Sequence, residues 1–313
     1  MREVTVIIPN YNGKKYLTDC LRSLDEHSDA KIEIIVVDNH STDGSIEEAK
    51  TVYPQVKYIV LDKNYGFSRA VNEGIRNADT PYVLLLNNDT EIQSGFVEQL
   101  LKTIKSDKRI FSVEAKMLKL DQPDRIDSAG TFYNVLGWAR ARGKGQPSGK
   151  YEKSCSTFAA CGGAAIYRKS VFAKTGLFDE AYFAYLEDID MGYRARLYGY
   201  RNVYEPKAVV YHAGSGTSGS KYNDFKVKIS ARNNVYLIYK NMPLLQIMMN
   251  LPFLAAGFAI KAVYFMKKGF GRPYLQGLKE GVKLCGMKEK LPYSSKRLLQ
   301  YIKIQMRLWM VKI

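Results

Sequence analysis

The chain has 313 residues, 46% of them hydrophobic, with a formal net charge of +16. That length suits one large α/β domain plus an appendage, and the apolar content is ordinary for a globular protein. Four cysteines (Cys20, Cys155, Cys161 and Cys285) form no CxxC pair and no dense framework, which argues against a disulfide scaffold and points to a reducing compartment. No apolar stretch precedes the strand-like sequence at Glu3, so no signal peptide is expected. The charge is uneven. Residues 1–220 carry 29 Lys+Arg against 28 Asp+Glu, whereas residues 221–313 carry 18 against 3, a net +15. A near-neutral unit is thus followed by a basic one, which calls for an anionic partner.

Glu3 to Ile8 reads as a strand stopped by Pro9-Asn10-Tyr11-Asn12-Gly13. A helix follows, with Leu17, Cys20, Leu21 and Leu24 on one face. Ile32 to Val37 is a second buried strand. It ends in a polar cluster that starts at Asp38-Asn39 and caps a short helix from about Ile46. Lys57 to Leu61 is a third strand, closed by Asn64-Tyr65-Gly66, and the next helix buries Phe67, Ala70, Val71, Ile75 and Ala78. Tyr82 to Leu86 is uniformly apolar or aromatic, as a strand buried on both faces must be. It stops abruptly in Asn87-Asn88-Asp89. Ser94 is the expected N-cap of a helix whose inner face is Val97, Leu100, Leu101 and Ile104.

Strand–helix alternation over the first 105 residues predicts a doubly wound, mostly parallel sheet with helices on both faces. Three strands end in polar clusters, and core packing does not demand that. A ligand pocket at the C-terminal strand ends does. No GxGxxG follows the first strand, and Gly13-Lys14-Lys15 lacks the spacing of a Walker A loop. A nucleotide here would be gripped by side chains such as Asp38 and by a metal. Asp89, on a rigid strand end, either holds a divalent cation or caps the next helix.

From Phe111 the alternation lapses, and residues 121–156 predict an irregular excursion with short hairpins over the site. Glycines at Gly162-Gly163 lead into a strand. A helix from about Leu186 carries Glu187, Asp188 and Asp190 in its first turn. Asp190 pairs with Arg194 at i,i+4. Glu187 and Asp188, behind Tyr182, Phe183 and Tyr185, suit either the helix dipole or a general base. Asn202–Glu205 and Ala208–Tyr211 read as short strands ending at His212, a structural histidine or a metal ligand.

These residues carry a resemblance. VIIPNYNG (6–13), VVDNHSTDGS (36–45), NYGFSRAVNEGI (64–75), LLLNNDT (84–90), GGAAIYRKSVF (162–172), GLFDEAYFAYLEDIDMGYRARLYGY (176–200) and VVYHAGS (209–215) stand in the order found in family 2 glycosyltransferases of the GT-A fold. The likeness is greatest to the rhamnosyltransferase-like branch of cell-surface polysaccharide synthesis. It implies that Pro9, Tyr11, Asn12 and Asp38, with Asn39 beside them, hold the donor base and ribose. Asn64, Gly66 and Asn72 would shape that pocket. Asn87-Asn88-Asp89 stands where the family has its DxD motif, with only the last position acidic. Asp89 and His212 would hold Mg²⁺ or Mn²⁺, and Asp188, with Glu187, would deprotonate the acceptor. The implied reaction is an inverting transfer from a dTDP-rhamnose-like or UDP-sugar donor to a glycan or lipid-linked hydroxyl. A catalytically degenerate GT-A scaffold and an anionic-polymer-binding protein are the alternatives. Nucleic acid is not an expected partner, because no basic run with stacking aromatics marks a groove.

The division expected is a GT-A domain over 1–220 and a helical basic region over 221–313. Within the latter, 242–260 runs for 19 residues without a charge. Pro243, Gln246, Asn250, Pro252 and Gly257 make it a poor simple span, and basic residues stand on both sides. An interfacial or re-entrant helix at the cytoplasmic face, meeting an anionic membrane surface, fits better, with a soluble helical subdomain as the alternative.

Overall fold

A computed structural model describes residues 2–28, 30–214 and 222–311. In chain order its elements are β1 (Val4–Asn10), α1 (Leu17–His27), β2 (Ile32–Asp38), α2 (Ser45–Val52), β3 (Lys57–Val60), α3 (Phe67–Arg76), β4 (Tyr82–Leu86), β5 (Thr90–Ile92), α4 (Phe96–Lys105), β6 (Ile110–Lys119), β7 (Ile126–Ser128), β8 (Thr131–Tyr133), β9 (Ala139–Ala141), β10 (Cys155–Thr157), β11 (Ala164–Arg168), α5 (Phe172–Thr175), α6 (Glu187–Leu197), β12 (Arg201–His212), α7 (Asp224–Asn241), α8 (Leu244–Lys267), α9 (Gly271–Met287) and α10 (Leu298–Met310).

The main sheet runs β10-β12-β6-β11-β4-β1-β2-β3, with β5 on β12 and β7 on β6. β3, β2, β1 and β4 are parallel, as are β6 and β12. β11 enters antiparallel between β4 and β6. This is the mostly parallel, doubly wound sheet that the alternation predicts. β4 is buried at all five positions, as its unbroken apolar run requires. One core layer packs α1, α2 and α4 on the sheet, and the other packs α3 and α5. A third cluster joins Phe158, Ile189 and Tyr193 to Tyr236, Leu237, Leu254 and Ile304. The C-terminal helices therefore share a core with the sheet domain. The expected boundary near residue 220 lies outside the described residues.

Two local expectations are corrected. Ser94 is not the cap of α4: Gly95 holds that position at φ 77°, and Ser94 Oγ lies 3.4 Å from His27 Nδ1. A left-handed cap residue turns the chain into the helix without a side-chain oxygen, and glycine tolerates it. The two short strands before His212 are one strand, β12, whose pairing with β6 shifts register between Glu205 and Val209. An irregularity there absorbs Pro206, which cannot donate to the ladder. Pro252 does not break α8, which runs through it for 24 residues.

Candidate active site

Register brings the first group together. β1 and β2 pair with Asn10 opposite Asp38, and Asn10 Nδ2 donates to Asp38 Oδ1 at 2.8 Å. Asn88 Nδ2 donates to Asn10 Oδ1 at 2.7 Å, tying the end of β4 to the other two. Ser41 N donates to the second Asp38 oxygen at 2.9 Å. Pro9 lies in β1 opposite Val37. Asn12, at φ 50°, accepts from Thr42 N at 2.9 Å, and Tyr11 is exposed.

Asn39 reaches the next turn, donating to Gly66 O and accepting from Tyr65 N, both at 3.3 Å. Asn64 Oδ1 accepts from Gly66 N at 2.9 Å. Gly66 has φ 82°, and a Cβ there would stand 2.5 Å from Phe183 O, so only glycine lets the two loops meet. Asn72 lies apart from this group: its amide is spent on both backbone groups of Phe178, at 2.8 and 3.0 Å.

The second group forms where β5 and β12 pair antiparallel with His212 opposite Thr90. His212 Nε2 lies 3.3 Å from Asp89 Oδ1 and 3.4 Å from Asn87 Nδ2. On its other side His212 Nδ1 bonds Asp127 Oδ2 at 2.8 Å, and Lys144 donates to Asp127 Oδ1 at 2.6 Å. Burial alone would lower the His212 pKa, but bonds to Asp127 and Asp89 outweigh it and push it to about 9. Burial would raise Asp127, and the bond from His212 and the Lys144 charge instead hold it near 2.

The donor set fits a divalent cation. A carboxylate oxygen and an imidazole nitrogen converge, and a second carboxylate orients the ring from behind. Among the described residues no group of three or more His, Cys, Asp and Glu could hold a metal. Two protein ligands suit an ion that also takes phosphate oxygens from a substrate.

The third group opens α6. Phe183, Tyr185 and Leu186 all have positive φ, between 63° and 70°. Such conformations persist only where surroundings enforce them. Here α7 does so: Asn233 Nδ2 donates to the carbonyls of Tyr182, Ala184 and Tyr185 at 2.9, 2.8 and 2.7 Å, and Arg232 donates to Ala181 and Tyr182. The first turn of α6 then sorts its acids. Asp190 is fully buried, accepts twice from Arg194 (2.9 and 2.7 Å), and bonds Lys240 and Asn241 at 3.0 and 2.8 Å. Burial would raise its pKa, but Arg194 and Lys240 hold it near 2.

Among the described residues Glu187 and Asp188 form no ion pair. Burial pushes both carboxyls up, and the charge of Asp188 pushes Glu187 further. Asp188 accepts from Ile189 N at 2.7 Å, whereas Glu187 Oε2 has no hydrogen-bond partner. Asp188 is therefore the member that ionises first. Cys161–Gly163 links this pair to the second group. Gly163 O accepts from Asn87 N at 2.9 Å, and the charge of Asp188 acts on the Cys161 thiol.

Several of these residues escaped sequence reasoning. Asp127 and Lys144 lie in the irregular excursion with no strand-end signature. Glu114 is mid-strand, buried, and pushed to about 7 by desolvation despite donors from Ser128 and Thr131. A lone carboxylate inside an apolar strand was the available signal. A cleft of about 490 Å³ between α1 and the β5–α4 turn, lined by Asp19, Glu26 and Tyr211 among others, holds none of the site residues.

Residues 5–176 match the glycosyl transferase family 2 sequence family. An N-acetylglucosaminyl-diphospho-decaprenol L-rhamnosyltransferase of Mycobacterium tuberculosis is 27% identical over 245 residues, 68% of this chain and 77% of that one. The mannosyltransferase PcManGT from Pyrobaculum calidifontis, solved with GDP-Man and Mn²⁺, is similar with a TM-score of 0.54 at 17% identity, over 98% of this chain and 88% of that one. GalNAc-T7, solved with UDP, GalNAc and Mn²⁺, gives 0.59 at 17% identity, over 76% of this chain and 48% of that longer chain. At these identities the solved structures speak for the fold alone.

Proposed function

Because the chain belongs to glycosyl transferase family 2, we propose that it moves a sugar from a dTDP-rhamnose-like or UDP-sugar donor to a hydroxyl of a lipid-linked or glycan acceptor, by a single inverting displacement. The reading rests chiefly on one observation: a desolvated Asp188, without an ion pair among the described residues, acts electrostatically on Cys161, two residues from Gly163, whose carbonyl bonds Asn87 beside the Asp89–His212 couple. Displacement of a diphosphate needs both, one side to receive negative charge and one to take a proton.

Asp38, with Asn10 and Asn88 locking its orientation, accepts from ribose or base. Pro9, Tyr11, Asn12, Asn39, Asn64 and Gly66 form the surrounding rim, while Asn72 fixes the Phe178 segment behind it. Asp89 and His212 would hold Mg²⁺ or Mn²⁺, which would supply charge neutralisation for the leaving diphosphate. Asp127 fixes the His212 ring by accepting at Nδ1. Lys226, buried at the start of α7 and within electrostatic reach of Asp89 and Lys144, adds positive charge on the same side. Asp188 takes the acceptor proton. Glu187, protonated beside it, keeps that proton acceptor singly charged. The mycobacterial relative acts on a lipid-linked substrate by its name, and a similar acceptor would keep this enzyme at the cytoplasmic face of the membrane.

A screen of nucleotide-sugars for Mn²⁺- or Mg²⁺-dependent turnover tests the reading, and absence of turnover and of donor hydrolysis with every donor would favour a degenerate scaffold. Residue by residue, Asp89→Ala and His212→Ala should each weaken UDP or dTDP binding in Mn²⁺ by calorimetry and change little in EDTA. Asp127→Ala should lower metal-dependent affinity by about 10- to 100-fold, as loss of an orienting partner does. Equal binding with and without metal in all three would reject the ion site.

A further inference from the structure

Helix α8 is built inside out. Its buried residues are Gln246, Asn250, Leu254 and Gly257, one face at spacings of about one turn. Its exposed residues are the apolar ones: Leu244, Leu245, Met248, Leu251, Phe253 and Ile260 are 47–69% exposed. A helix at a water-facing surface carries the opposite arrangement. Mean hydropathy reaches 1.5 in its most apolar window, of which 17% is buried.

The inward polar face is satisfied within the protein. Tyr193 Oη donates to Gln246 Oε1 at 2.5 Å, and Gln246 Nε2 and Asn250 Nδ2 each donate to Gln305 Oε1 at 2.9 Å. Gln305 Nε2 and Trp309 Nε1 donate back to Asn250 Oδ1 at 2.7 and 3.2 Å. Polar residues turned inward and apolar residues turned outward are what a hydrocarbon solvent selects.

The same contacts exclude a crossing. α8 is fastened along its length, through Tyr193 of α6, through Gln305 of α10, and through Trp138, whose Nε1 donates to Gly257 O at 3.2 Å. A Cβ on Gly257 would stand 2.1 Å from Leu136 O, so the helix lies directly on backbone of the β8–β9 hairpin. A spanning α8 would drag this hairpin and α6 to hydrocarbon depth, where irregular backbone facing lipid is not tolerated.

We infer that α8 is a monotopic membrane helix that lies in the plane of the bilayer surface, its polar face bolted to the transferase and its apolar face in lipid. This deepens the membrane placement proposed above but rests on the helix, not on the transfer chemistry. α9 and α10 add exposed Leu275, Val282, Leu298 and Ile302. The lipid is anionic, because residues 221–313 carry 18 Lys+Arg against 3 Asp+Glu. That charge disfavours a second copy of the chain as the cover, since two such faces repel.

Flotation of the full-length protein with phosphatidylglycerol-containing liposomes tests the partner. Wild type should float with them, should bind phosphatidylcholine liposomes more weakly, and should stay partly bound in high salt, because apolar burial is not screened. Leu245→Glu with Met248→Glu, at positions without polar partners, should reduce flotation at least tenfold while UDP binding in Mn²⁺ is unchanged. Wild type that stays in the supernatant at low salt overturns the inference, even if it binds UDP and turns over. A stable dimer in solution that this double variant dissociates, without flotation, assigns the face to a second copy and also overturns it. Orientation is read with an impermeant maleimide added to liposome-bound protein, against the unsubstituted chain as background. Pro243→Cys and Lys268→Cys, at the two ends of α8 and outside its apolar face, should both label, and protection of only one end would mean a span.

Discussion

Asp188→Asn is expected to lower turnover by about 10²- to 10⁴-fold, the usual contribution of a positioned proton acceptor, with donor binding nearly unchanged. The amide keeps the shape and the bond from Ile189 N but cannot take a proton. Among the described residues Asp188 forms no ion pair, and burial holds it above the ordinary carboxylate range of about 4. The acid limb of the turnover–pH profile should therefore lie above that range, because the anion is the active form and activity rises as the proton leaves. The limb should vanish in Asp188→Asn. Glu187→Gln should leave it nearly in place, since Glu187 is still protonated when Asp188 ionises and the repulsion falls on the later titration of Glu187. Steady-state kinetics over a pH series checks all three, and near-normal kcat in Asp188→Asn would exclude it as the base.

Asp190→Ala is expected to destabilise the fold by about 3–5 kcal/mol, the cost of removing one partner from a buried ion pair. Arg194 would lose its carboxylate while buried, and Lys240 would keep only Asp179, at 2.7 Å. Because Asp190 bonds both α6 and α7, unfolding in urea should also report a loosened α7, seen as faster amide exchange at Asn233 and Tyr236. The sign of the pH effect follows from the depressed pKa. Asp190 titrates near 2 in the folded chain against an ordinary value of 3.8, so its stabilisation is complete above about 3.8 and is lost as pH falls through 2. Wild type should lose stability over that window, and Asp190→Ala should lose less. An unchanged urea midpoint in the variant would reject the network as a stabilising element.

Two adjacent acids and a third two positions on differ in their partners here, and the reason is spatial. The i,i+4 spacing made the Asp190–Arg194 pair legible. That Lys240 and Asn241 complete it depends on where α7 packs, 50 and 51 residues further on. The strained loop before Glu187 is another such case. Nothing in Phe183-Ala184-Tyr185-Leu186 signals three positive φ values, because the carbonyls that hold the loop are bound by Asn233, a residue of another helix.

Sequence alone determined the strands and where they stop. An unbroken run such as Tyr82–Leu86 can only be buried on both faces, and Asn87-Asn88-Asp89 can only end it, so these are local decisions of hydrophobicity and turn chemistry. The polar strand ends were legible for the same reason, and with them Asp38, Asp89 and His212. Tertiary structure decided which ends touch. The antiparallel return of β12 onto β5 brings His212 to Asp89, and the β6–β7 pairing brings Asp127 behind it; neither has a local cause. It also decided the orientation of α8. The period of Gln246, Asn250 and Gly257 defines a stripe, but a stripe does not say which medium it faces. Only the partners Tyr193, Gln305 and Trp138 turn the polar side inward and leave the apolar side outward.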